Sequence, residues 1–259
     1  MDNVHDILDR AWTAHSAGQF DAALQDYIWL FDATSERDSD VAPLRLSYVL
    51  NAWAKLAEEH LPARQALVAL RDRDAAVLLA ADGGNPSPDP DAGPGADIDA
   101  NANLFNDVRA INDKLGDAQH TYQLFQRLPA DLARECANSA LPSMMACGDF
   151  TLAHTYLPHP DAHLGDYAAE VNAHVATLDL LGDAGMSELL ATVYNYMTEV
   201  RLILELLEGY GDHAAAGRLR QQAAALITSA EARACIEAEF AHPGTTLDAM
   251  VELQNAALI

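Results

Sequence analysis

Apolar residues recur along this chain every three to four positions and show no sustained alternation with polar ones. One face of an α-helix repeats in the same way, whereas a half-buried strand would alternate. Ile7, Leu8, Ala11 and Ala14 predict a first helix over about residues 3–17, with Asp2 or Asn3 placed to cap it. Gly18 then stops that helix, because a residue without a Cβ accepts the left-handed conformation there. A second helix over about 21–33 carries Ala23, Leu24, Tyr27, Leu30 and Phe31. A third, over about 41–59, aligns Leu46, Val49, Leu50, Trp53 and Leu56. Pro62 suits the first turn of a fourth helix that runs to about Ala81.

Residues 82–101 break the rhythm. The stretch DGGNPSPDPDAGPGADIDAN holds four prolines, four glycines and five aspartates without a basic residue. Such a composition sustains no helix and repels itself, so it reads as an extended acidic linker or loop. The pattern then predicts helices over about 103–115, 117–128, 130–146, 149–157, 166–181, 186–209, 212–228 and 229–241, with a short one near 245–257. The stretch over 186–209 has the clearest stripe, from Leu189, Leu190 and Val193 to Ile203, Leu204 and Leu207. It reads as a core helix with one wet side. The expected fold is all-α, with a helical region at 1–81, a flexible acidic segment at 82–102 and a second helical region at 103–259.

Charge narrows the partners. The chain carries 39 acidic against 15 basic residues, a net charge of -24, and Lys55 and Lys114 are its lysines. Phosphate binding needs clustered Lys and Arg, so nucleic acid is disfavoured, as is an anionic membrane surface. A basic protein is favoured instead, with solubility alone as the competing explanation of the acidity. No stretch reaches the roughly 20 apolar residues of a membrane helix, and the first residues show no signal-peptide pattern. Cys136, Cys147 and Cys235 are widely spaced and odd in number, and read as free, buried thiols of a reducing cytoplasm.

The segment GQFDAALQDYIWLF, from Gly18 to Phe31, resembles the turn and second helix of a tetratricopeptide (TPR) unit. Gly18 makes the tight turn, Phe20 packs into the angle, Ala23 lets two axes approach and Tyr27 fills the space towards the next unit. Ala11 falls where such units also want a small residue. Weaker echoes begin at Gly148, with Phe150 and Ala153, and at Gly211, with Ala216 and Ala223. Their spacing is not the regular 34 residues of an array, and Pro142 lies inside what would be a first helix. The stretch from Ala22 to Leu78 also looks like bacterial TPR-type proteins, a likeness that supplies no activity. The resemblance implies an irregular stack of antiparallel helix pairs whose groove grips a protein partner. It places Trp12 and His15 on the groove side of the first helix, and Arg201, Glu205 and Glu208 on the groove side of the last recognisable unit.

Candidate chemistry is sparse. His154, His159, Asp161 and His163 are the densest set of metal-ligand types, but Pro158 and Pro160 interrupt any helix through His159. No nucleophile elbow, phosphate-binding glycine loop or dinucleotide fingerprint occurs. The expectation is therefore a non-catalytic interaction module without cofactor or metal, acting as an adaptor or an immunity-type inhibitor of a basic protein. Its rivals are a metal-dependent helical-bundle enzyme using the His154–His163 region and a structural subunit of a homo-oligomer.

Overall fold

The computed structural model describes residues 4–33, 44–80, 96–180 and 182–256. Among them every regular element is a helix. The chain divides into two compact units, Met1–Cys147 and Gly148–Ile259.

The first unit opens with α1 (Val4–Ser16) and α2 (Phe20–Ala33). A π-helical turn, Arg45–Val49, leads directly into α3 (Leu50–Glu59), and α4 (Leu61–Ala80) follows. Beyond the acidic stretch come α5 (Ala96–Leu115), α6 (Ala118–Phe125) and α7 (Ala130–Ala146). Packing follows chain order, with α1 on α2, α2 on α3, α3 on α4 and α4 on α5, before α5 meets α6 and α7. The apolar stripes meet where the period put them: Ala11, Ala23, Tyr27, Leu50 and Leu56 are all fully buried.

Polar contacts then fix the order. The Arg45 guanidinium lies 4.0 Å over the Phe31 ring, donates to the Phe31 carbonyl at 3.1 Å, and pairs with the buried carboxylate of Asp107 on α5. Arg71 on α4 reaches Asp117 at 3.0 Å and the fully buried Asn112 at 3.3 Å. Helices on the two sides of the acidic stretch are thus joined by charge-assisted hydrogen bonds.

The second unit comprises α8 (Phe150–Tyr156), α9 (Pro160–Val175), α10 (Asp183–Tyr210), α11 (His213–Ala225), α12 (Ala230–Ala241) and α13 (Thr245–Ala256). α10 is its axis and packs against the other five. Its expected stripe is buried, and so are Tyr196 and Leu206. A helix covered from several sides needs a wider apolar surface than one packed on a single neighbour. The Tyr196 hydroxyl donates to the Ala223 carbonyl at 2.9 Å, which satisfies it inside the core.

One turn device recurs. Gly116, Gly148 and Gly211 all take positive φ, and the aspartate after each caps the next helix. Asp117, Asp149 and Asp212 accept from the backbone N–H three residues on at 2.9–3.1 Å. The glycine ends one helix left-handed and the aspartate starts the next.

Gly209 has a different reason. A Cβ there would stand 2.2 Å from the Phe150 ring, so its bare backbone seats that aromatic. Gly209→Ala is therefore expected to lower stability by about 1–3 kcal/mol through overpacking, read as a lower thermal midpoint. An unchanged midpoint would mean that Phe150 leaves its seat without cost.

Two boundaries and one burial expectation need correction. α5 begins at Ala96, inside the stretch read as extended, because alanine and two aspartates suit a first helical turn of the sequence Ala-Asp-Ile-Asp. Residues 82–95 of that stretch lie outside the described residues. α9 begins at Pro160 rather than near 166, since a proline is tolerated where its missing N–H has no partner to lose. Cys136 is buried, whereas Cys147 and Cys235 are partly exposed. α7 also runs through Pro142, which leaves the Asn138 carbonyl without its usual helical donor.

Candidate functional site

The first unit holds a cavity of about 640 Å³ between α1 and the helix that the π turn opens. α1 contributes Leu8, Asp9, Trp12, His15 and Ser16; the opposite wall is Tyr48, Asn51, Ala52, Lys55 and Glu59. These positions recur at three- and four-residue steps, so each wall is one continuous helix face.

Trp12 is 67% exposed and Tyr48 is 66% exposed, while Trp53, one turn beyond the π turn, is 2% exposed. Two large aromatic side chains standing free in one concavity are unusual in a helical protein with a filled core. Trp12 stands outward because Ile7, Ala11 and Ala14 supply the buried stripe of α1. Tyr48 lies in the π turn, off the stripe of Val49, Leu50, Trp53 and Leu56 that is buried.

Polar groups rim the aromatics. His15 stands 3.6 Å from Glu59, and its ring meets those of Phe20 and Tyr27 edge-on at 5.9 and 6.5 Å. The Asp9 carboxylate and the Lys55 ammonium have no ion-pair partner among the described residues. The groove therefore offers an aromatic floor, two carboxylates and one cation.

The remaining expected residues belong to the second unit. Arg201 pairs with Glu239, a buried carboxylate that also accepts from the Gly244 and Thr246 backbone N–H groups at 2.7 and 2.9 Å. Burial alone would raise the Glu239 pKa, but these donors and the arginine outweigh it and hold the pKa below the usual range. Arg201 thus stabilises the α12–α13 turn. Glu205 is exposed, and Glu208 stands 3.5 Å from Arg220. None of the three lines the second unit's cleft of about 470 Å³ between α9 and α10, which Tyr167, Glu170, His174 and Glu199 border. Of the groove in the first unit, sequence reasoning named Trp12 and His15 and missed Tyr48, Asp9, Lys55 and Glu59.

The histidine-rich segment is dispersed. His154 stacks on Tyr210 at 4.0 Å, His159 precedes α9 as its cap, and His163 packs edge-on against Tyr167 at 4.9 Å. Among the described residues, no three His, Cys, Asp or Glu side chains converge as metal ligands would. Burial, then the Glu135 charge, pushes the Cys136 thiol up to about 12, and burial also raises Cys147 and Cys235. All three are thiols rather than thiolates at neutral pH.

No family model, curated protein or solved structure matches this chain. Among the described residues no helix is long and apolar enough to cross a membrane.

Proposed function

We propose that this protein is a non-catalytic interaction module that captures a basic protein, and that the groove between α1 and α3 grips it. The observation that carries the proposal is the pair of exposed aromatics, Trp12 and Tyr48, set in one concavity with Asp9 and Glu59 at its edges. Exposed aromatics in a groove are where interfaces concentrate binding energy. The net charge of -24 draws a basic partner towards that surface.

The TPR-like reading supports the same assignment. In α1 to α4 each helix packs on the next, Gly18 turns left-handed, and the small positions Ala11 and Ala23 are fully buried. Such pairs present their first helices to a groove, and α1 and α3 are the first helices here. The role that fits is an adaptor, or an inhibitor that masks a basic toxin, in a reducing cytoplasm where three unpaired thiols persist.

The test compares capture by the wild-type chain and by Trp12→Ala/Tyr48→Ala from the cytosol of the source cell, at low and physiological salt. One basic protein is expected, recovered near one-to-one by the wild type and released as salt rises. The double variant should bind it about 10- to 100-fold more weakly. Equal capture by both chains, or capture of acidic proteins alone, would overturn the proposal.

A further inference from the structure

This inference rests on the groove reading above and specifies what enters the groove. We propose that the α1/α3 groove accepts an extended segment of about four residues bearing one arginine, and that Lys55 determines the limit of one.

Length comes first. The α1 wall runs from Leu8 to Ser16, which at 1.5 Å per residue is about 12 Å. An extended chain advances about 3.3 Å per residue, so about four residues span the wall.

Chemistry selects arginine. Asp9 and Trp12 are three residues apart on one helix face, so a single guanidinium can lie on the indole and fork onto the carboxylate. A lysine ammonium offers neither a stacking plane nor a fork. Asp9 has no partner of its own among the described residues, so nothing must be displaced.

Lys55 then excludes more. It lies in the same groove without an ion pair among the described residues, and it is one of only two lysines in a chain of net charge -24. A second cation in the segment would share the groove with the Lys55 ammonium, and like charges repel. Elsewhere the acidic surface attracts any polycation, so this lysine makes the groove selective where the rest of the chain is not.

The experiment follows the Trp12 indole N–H signal by NMR in the full chain, assigned by its loss in Trp12→Ala. The probes are acetylated and amidated tetrapeptides with one arginine, one lysine or three arginines among glycines. The one-arginine peptide is expected to shift the signal saturably, with the lysine and three-arginine peptides about tenfold weaker at that signal. In Lys55→Gln, a change at an exposed side chain, the three-arginine peptide should become the tightest of the set. No shift with any peptide, or three arginines already tightest in the wild type, would overturn the inference. Capture that depends on Trp12 and Tyr48 would survive either result, so the two readings fail separately.

Discussion

Arg45→Met is expected to cost about 3–5 kcal/mol of stability above neutral pH, measured by urea unfolding followed by circular dichroism. The guanidinium is the cation that faces Asp107, whose side chain is only 7% exposed. Methionine leaves that carboxylate charged, buried and unpaired, the costly way to break an internal ion pair. Arg45→Met/Asp107→Leu should recover most of the loss, because both charges are then gone.

The pH dependence carries a sign that tests the same contact. Burial, partly offset by Arg45 and reinforced by the Asp74 charge, pushes the Asp107 pKa from 3.8 to about 6. The folded state therefore binds more protons than the unfolded chain between those values. Its contribution to stability is fully present below 3.8 and is lost as pH rises through about 6. In Arg45→Met that loss should deepen, so the variant's deficit should shrink on going from pH 8 to pH 5. A deficit below about 1 kcal/mol that does not change with pH would remove the pair from the account.

Trp53→Ala is the second large effect, at about 3–5 kcal/mol. The ring is 2% exposed, meets Phe31 edge-on at 6.0 Å, and donates its N–H to the Ala63 carbonyl at 3.1 Å. One side chain thus ties α3 to both α2 and the first turn of α4. Trp53→Phe keeps an aromatic ring and gives up the hydrogen bond, so a smaller loss of about 1–1.5 kcal/mol is expected. Trp29→Ala, at a position 43% exposed, should fall within about 0.5 kcal/mol. The same unfolding curves distinguish the three, and a Trp53→Ala loss no larger than that of Trp29→Ala would contradict the core described above.

These two residues show what the sequence makes legible. Trp53 stands on a clean 3.6-residue stripe with Leu50 and Leu56, and periodicity alone places it inside. Arg45 and Asp107 lie 62 residues apart, on either side of the acidic stretch, and no local pattern connects them. The same holds for Arg201 and Glu239, which lie 38 residues apart and pair without any local pattern to connect them. Gly209 looks like an indifferent position near a helix end, because the ring it admits comes from Phe150 in α8. Helix starts at Ala96 and Pro160 were hidden by neighbouring prolines and glycines, whose meaning depends on which side of a first turn they occupy.

The groove was half legible. Trp12 falls off the buried stripe of α1, so its exposure follows from the period. Tyr48 falls off the stripe of Leu46, Val49, Leu50 and Trp53 in the same way, but an aromatic flanked by Ser47 and Val49 carries no motif that singles it out. Its exposure follows from the same period, because Asn51, Ala52, Lys55 and Glu59 continue its face at three- and four-residue steps.

The most direct measurement is amide hydrogen exchange of the full chain, alone and with the captured basic protein bound. Slowed exchange confined to Leu8–Ser16 and Tyr48–Glu59, and abolished in Trp12→Ala/Tyr48→Ala, is the result this account predicts. Slowed exchange only in α9 and α10, with these two segments unchanged, would place the partner elsewhere and contradict it.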